Sequence, residues 1–311
     1  MKTISCLSAV IIAVLVIAVP CAAKDNDANA INTVQQRYPN LASGALTYAK
    51  VETMAEGVLL KSEGIEISST DIDNFISEQP EQFRADLKKN AFFVLEQEAG
   101  LKMLRKLARQ QLAKSGKDAN SMDDNQLFMP FFEELTKDVT VTAGDIETFY
   151  KENESIFCDT PLESVREQIE SYVLSDKKQR FIDQYVRTLG QKIDITVSDS
   201  WTKQQAQTAK DNPLDKARAG GKPTLAIFSA AGCCGPDKML PVRDVLLKQY
   251  DTKISILYIE PAKEPILAAR YAVRSIPTQV LYDSKGKEFF RHSGFFSEKD
   301  IAGKLTEMGV Q

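Results

Sequence analysis

Histidine is almost missing from this chain: among 311 residues there is one, His292. That single imidazole sits in a predicted strand and reads as a surface strand residue. Ser-His-Asp triads and multi-histidine metal sites are therefore set aside. An excess of one charge is missing too. Lys and Arg number 39 against 43 Asp and Glu, for a net charge of −4, and the two signs are dispersed. Nucleic-acid binding needs a basic patch or stripe, and none stands out. No glycine-rich loop of the phosphate-cradling kind occurs. The Glu and Asp residues scattered through the helical stretches read as solvated faces and not as an acid–base dyad. Cysteine is scarce at five residues: Cys6, Cys21, Cys158, Cys233 and Cys234.

Long apolar runs are nearly absent as well, the exception being Ile4 to Val19. Lys2 precedes it, and Pro20-Cys21-Ala22-Ala23 and then Lys24-Asp25-Asn26-Asp27 follow. One positive charge, a short apolar core and small residues make a secretory signal peptide over 1–23, with cleavage expected near Ala23. The run is shorter than the roughly 20 apolar residues a membrane span needs. Pro20 is a poor residue before a lipidated cysteine, so a lipoprotein at Cys21, like an uncleaved anchor, is the lesser alternative. The expectation is an exported, periplasmic-type protein with no stable membrane span. Cys158, Cys233 and Cys234 then remain in an oxidising compartment. An odd number excludes complete pairing within one chain, so a thiol is left that is reactive or paired elsewhere.

Residues 24–45 are polar and read as a flexible leader. Val58-Leu59-Leu60 and Ile65-Glu66-Ile67 flank Glu63-Gly64 and predict a hairpin, with a helix start at Thr70 and Asp73. Phe93, Leu95, Leu101, Leu104 and Leu107 recur at helical spacing and predict a helix from Asn90 to Ala113. Leu127-Phe128-Met129-Pro130-Phe131-Phe132 is an apolar knot that needs burial in this core or against a client. Thr142-Ala143-Gly144-Asp145 opens a helix through Tyr150. Thr160-Pro161-Leu162-Glu163 opens another that runs to about Leu189. Ile193 to Val197 alternates like a short strand. Asn153-Glu154-Ser155 fits a glycosylation sequon, a short match that arises often by chance. Residues 201–212, rich in Gln, Lys, Ala and Thr, read as a linker.

Within 46–200, three pieces resemble the chaperone part of SurA-type periplasmic folding factors. They are the hairpin-then-helix entry near Gly64 to Ile72, the stretch Val139 to Asn153, and Leu162 to Ile169 ending in Ile193-Asp194-Ile195. In that family a parvulin prolyl-isomerase domain usually sits between the second and third pieces. Here only Glu154 to Thr160 lie there, so isomerase activity is not implied. The resemblance implies binding of unfolded clients through apolar grooves, without catalysis.

Residues 213–311 read as strand, helix, strand, helix, two strands and helix. With Phe228-Ser229-Ala230-Ala231-Gly232-Cys233-Cys234-Gly235-Pro236-Asp237-Lys238 and Ile276-Pro277-Thr278, this half resembles the thioredoxin fold. The whole chain is thus expected to be mixed: an N-terminal all-α SurA-like domain and a C-terminal α/β thioredoxin fold. A cysteine at a helix N-terminus has its thiolate stabilised by the helix dipole and free amides, and attacks disulfides at neutral pH. In the family a second cysteine three positions on resolves the mixed disulfide. A proline with a cis peptide, here Pro277, holds the backbone that pairs with the client.

Two registers fit the cysteines. Cys234-Gly235-Pro236-Asp237 against the family's Cys-Gly-Pro-Cys makes Cys234 the nucleophile and Asp237 the lost resolver. The spacings from Phe228, to Pro241 and to Pro277 favour Cys233, which puts Pro236 in the resolver position. In that register Gly232 replaces the usual tryptophan, and Ile227 the buried acid that helps many thioredoxins move protons. Neither register contains Cys-x-x-Cys. A bond between the two adjacent cysteines is strained, and Cys158 is a distant candidate partner. The expected catalytic set is Cys233, Cys234 and Pro277, with no cofactor and no metal. The expected partners are unfolded or cysteine-containing proteins and an envelope thiol reductant.

Overall fold

The structure, a computed structural model, describes residues 32–114, 116, 118–119, 121–153, 157, 160–231 and 237–310. The expected signal peptide and Cys158, Cys233 and Cys234 lie outside the described residues. From Asn32 onward the chain forms one compact unit.

Its first part is predominantly helical. After α1 (Val34–Arg37) and a 3-10 turn (Ala45–Tyr48) come β1 (Lys50–Glu52), β2 (Val58–Ser62) and β3 (Ile65–Ser68). Helices α2 (Ser69–Glu78), α3 (Glu81–Lys89), α4 (Ala91–Lys114), α5 (Asp124–Leu135), α6 (Ala143–Glu152) and α7 (Leu162–Lys192) follow. β4 (Ile195–Ser198) and α8 (Asp199–Ala209) close this part. The expected hairpin is present as β2 and β3. It belongs to a four-stranded sheet of order β1-β4-β2-β3, so the all-α expectation gives way to a helical region built on a small sheet. β1 and β4 pair in parallel from distant points of the sequence, Lys50 opposite Thr196.

Local chemistry sets the helix ends. Reciprocal capping boxes join Ser68 with Asp71, Asp123 with Gln126, and Thr142 with Asp145. Each hydroxyl or carboxylate satisfies an amide that the first turn leaves free. The α2 start therefore lies at Ser68, two residues ahead of the expected Thr70. The apolar knot folds into α5, where Leu127 and Phe131 are buried and Met129 is exposed. Gly190 marks the closest crossing: a Cβ there would lie 2.0 Å from the Ala45 carbonyl oxygen, so α7 meets the 3-10 turn only through glycine.

Two segment boundaries differ from expectation. Of the expected flexible leader, residues 32–45 are packed: Val34, Leu41, Ala42 and Ala45 are buried. Their apolar side chains were masked in the sequence by the polar residues around them. The expected linker 201–212 is largely α8, with Trp201 stacked on Phe92 at 6.1 Å and Ala206 and Ala209 buried.

The second part runs α9 (Pro213–Ala219), β5 (Thr224–Phe228), α10 (Met239–Tyr250), β6 (Ser255–Ile259), α11 (Pro265–Arg270), β7 (Thr278–Tyr282), β8 (Glu288–Ser293) and α12 (Glu298–Glu307). From β5 on, this is the succession expected from the sequence. The sheet order is β6-β5-β7-β8, with β5 parallel to β6 and antiparallel to β7. Every residue of β5 and β7 is buried, because side chains alternate between two covered faces. Ala226 and Phe228 pack towards Leu214, Leu267 and Tyr271. Leu225 and Ile227 pack towards Met239, Leu246, Ile301 and Leu305.

The two parts are joined by polar contacts from Arg270, which a buried network inside the second part holds in place. Arg270 donates to the Asn90 side chain at 3.1 Å, to the Ala209 carbonyl at 3.2 Å and to Asp215 at 3.1 Å. Tyr271 donates to the other Asp215 oxygen at 2.5 Å, and Arg218 donates to the Tyr271 oxygen at 2.9 Å. A second join lies at the end of α6, where the Phe295 amide donates to the Glu152 carbonyl at 3.1 Å. There Gly294, at φ +112°, lies against Asn153. Asn153 is 5% exposed and donates its side-chain amide to the Phe149 carbonyl at 2.8 Å. The nitrogen a glycan would need is thus engaged inside the fold, which speaks against the sequon.

Candidate functional site

Sheet pairing assembles the site. Phe228, the last residue of β5, stands opposite Thr278, the first of β7. The chain leaving β5 for Cys233 and Cys234 and the chain arriving from Pro277 therefore emerge side by side at one end of the sheet. The Ile276–Pro277 peptide is cis, as the Ile-Pro-Thr motif leads one to expect. The Thr278 hydroxyl closes the turn onto the Ser275 carbonyl at 2.6 Å, and the Gly294 amide donates to the Pro277 carbonyl at 2.8 Å. The other two expected residues, Cys233 and Cys234, lie in the undescribed stretch between Ala231 and Asp237.

Asp237 anchors the far side of that stretch. It is 7% exposed; one oxygen accepts from the Met239 amide at 2.7 Å and the other from the Tyr258 hydroxyl. Burial pushes the Tyr258 hydroxyl well above its ordinary range, and the Asp237 carboxylate adds to the shift. Tyr258 therefore stays a neutral donor. Ile227, where the family carries a buried acid in one register, lies fully inside the apolar cluster with Met239. The buried acid at this end of the sheet is Asp237. Read along the chain it has a role only as a lost resolver, because its partner Tyr258 comes from β6, paired with Ile227 of β5. His292 sits on β8 opposite Gln279 and stacks on Phe296 at 4.5 Å. Among the described residues no group of three His, Cys, Asp or Glu side chains has metal-holding geometry. No described helix is long and apolar enough to cross a membrane.

Beside the Pro277 loop lies a cleft of about 360 Å³. One wall is α6 and α7, with Phe149, Glu152, Tyr172 and Arg180; the other is Ser275 and Ser293. Ser293 is the β8 residue opposite Thr278, so the cleft opens against the cis-proline turn. The sequence placed the helical and α/β parts in series and gave no sign of a cleft shared between them.

A four-stranded mixed sheet covered by helices on both faces, with a cis-proline turn beside the end of β5, defines a thioredoxin-like domain. A family model described as a thioredoxin-like domain matches residues 210–309. Thioredoxin from Staphylococcus epidermidis is 37% identical over 75 residues, 24% of this chain and 71% of that protein. Thioredoxin from Porphyra purpurea is 38% identical over 63 residues, 20% of this chain and 58% of that protein. A crystal structure of a thioredoxin from Nicotiana alata is 25% identical, covers 30% of this chain and 80% of that one, and aligns with a TM-score of 0.27. The chain belongs to the thioredoxin family through its C-terminal part. It spans 71% and 58% of the length of these two curated relatives.

Proposed function

We propose that this protein is an exported protein-folding factor of the cell envelope. Its helical part holds unfolded clients, as the resemblance to SurA-type chaperones implies, and has no prolyl-isomerase activity. Its thioredoxin-like part presents Cys233 or Cys234 to client cysteines. The observation that supports this reading is the pairing of Phe228 with Thr278, which sets the end of the strand that precedes the two cysteines beside the Pro277 turn. In the exchange, a thiolate attacks one sulfur of a client disulfide. It forms a mixed disulfide and releases the other client sulfur as a thiolate, which takes up a proton. A second thiol, from the client or from an envelope reductant, then attacks the mixed disulfide and restores the protein thiol. Insulin reduction, or refolding of a protein with scrambled disulfides, tests the proposal. Wild type is expected to act, and Cys233→Ser and Cys234→Ser, assayed separately, to reveal the nucleophile. Wild-type protein with no thiol-dependent activity overturns the redox part.

A second reading is a binding module whose thioredoxin fold is redox-inactive. It draws on the missing Cys-x-x-Cys and on Asp237, which is committed to Met239 and Tyr258 at the position one register assigns to the resolver. Thiol titration separates the two readings. A thiol with a pKa well below about 8.5 marks a reactive cysteine, and an ordinary or inert thiol marks the binding module.

A further inference from the structure

We propose that the cleft between α6, α7 and the Pro277 turn is the docking site of the client chain, and that it takes an extended segment with a basic and an aromatic side chain. The proposal rests on the reading of this protein as a thiol that acts on polypeptides, and it places client capture and thiol presentation at one site.

Position is the first argument. The α/β wall of the cleft consists of Ser275 and Ser293, which bracket the cis-proline turn in sequence and across the sheet. Ile276 between them is 43% exposed. Among the described residues its amide and carbonyl make no hydrogen bond, which leaves a short piece of backbone free to pair with an extended chain. A client lying along that backbone runs into the cleft.

Rigidity is the second. The walls belong to different parts of the chain but are tied together. The Phe295 amide donates to the Glu152 carbonyl, and Arg274 forms an ion pair with Asp183 of α7. The cleft therefore exists before a client arrives, which lowers the ordering cost of binding.

The lining is the third, and it selects the occupant. Phe149 and Tyr172 lie 5.1 Å apart between ring centroids, and Tyr172 is 42% exposed, an aromatic platform open to a neighbour. Of the carboxylates around the cleft, Asp145 is engaged by Lys177 at 2.6 Å and Asp176 by Arg180 at 2.7 Å. Glu152 has no ion pair among the described residues and faces the same space. A Lys or Arg on the client supplies the missing partner, and an adjacent aromatic or aliphatic side chain covers the rings. A cleft of about 360 Å³ sits at the small end of ligand pockets, room for two or three side chains and not for a folded domain.

The test uses the full chain carrying both Cys233→Ser and Cys234→Ser, so that no covalent step contributes. The probe is a fluorescein-labelled unstructured peptide in which serine replaces cysteine and lysine alternates with phenylalanine and leucine. A matched peptide carries glutamate in place of lysine. Anisotropy is expected to show tighter binding of the basic peptide, weakened by about tenfold in Tyr172→Ala and in Glu152→Lys. Glu152→Lys is also expected to shift preference towards the acidic peptide. Both residues are at least partly exposed, and circular dichroism checks that each variant is folded. Unchanged binding of the basic peptide in both folded variants, or no binding to the parent, overturns the cleft. Insulin reduction by the wild type is scored separately. Turnover without cleft-dependent binding removes this inference and leaves the redox reading. Cleft-dependent binding without turnover does the reverse.

Discussion

Glu96 shows how far one side chain can act from its place in the sequence. It sits in the middle of α4, is 3% exposed, and accepts from the amides of Ser43, Gly44 and Leu46 at 3.0, 2.8 and 3.1 Å. It thereby gathers the first amides of the 3-10 turn around one carboxylate. Burial pushes this carboxyl up, while the three N–H donors pull it down. Glu96→Gln keeps the size but turns one acceptor into an NH₂ group facing the Ser43 amide. It is expected to cost about 1–3 kcal/mol of stability in urea denaturation, the penalty of a buried donor left without a partner. A variant as stable as wild type would show that only one carboxyl oxygen matters. In the sequence Glu96 is one more charged residue of an amphipathic helix, and its role depends on a segment that reads as a flexible leader. Asp237 was hidden for the same reason. Its meaning comes from Tyr258 on another strand, whereas Pro277 carried its own signature in Ile-Pro-Thr.

Among elements, the pairing of α6 with α7 has a pH signature. Asp145 accepts from the Thr142 amide and hydroxyl, both at 2.8 Å, and from Lys177 of α7 at 2.6 Å. The Lys177 ammonium first, and then the two Thr142 donors, hold its carboxyl down from 3.8 to about 2. A carboxyl depressed in the fold contributes stability above its unfolded pKa and loses it as pH falls through the folded value. The window is therefore from 3.8 down to about 2. Asp145→Asn is expected to unfold at lower temperature than wild type at pH 6, with the difference shrinking as the pH drops through that window. A difference that stays constant down to pH 2 would rule out Lys177 and Thr142 as the cause. The capping box at Thr142 was legible, because cap and acid are three residues apart. Lys177 was not, because contact across a helix pair is not written in local spacing.

The whole molecule unfolds as its joints dictate. Arg270 is the main tie between the helical and α/β parts, through Asn90 and the Ala209 carbonyl, and is itself held by Asp215 of α9. Arg270→Ala takes the nearer guanidinium from a buried carboxylate, which keeps the Asn212 side-chain amide at 2.6 Å, Tyr271 and, at 3.5 Å, Arg218. Removing one partner of a buried pair costs about 3–5 kcal/mol. Trp201, the one tryptophan of the chain, reports on the helical part from its stack on Phe92. In the wild type its fluorescence and far-ultraviolet circular dichroism are expected to trace one denaturation curve. In Arg270→Ala the two curves are expected to separate, and coincident curves would show that the α6 join alone suffices.

The sequence by itself determined the order of strands and helices in the α/β part from β5 on, the turn at Pro277 and the helix starts near Asn90, Thr142 and Thr160. Alternation, capping and proline geometry act within a few residues. Only the tertiary structure decided that residues 32–45 and 201–209 belong to the core and that Asp237 is committed to Tyr258. It also decided that a cleft opens between the two parts beside the proposed thiol site. Each of these depends on which distant surfaces become neighbours, and that is set by the burial and pairing of whole elements.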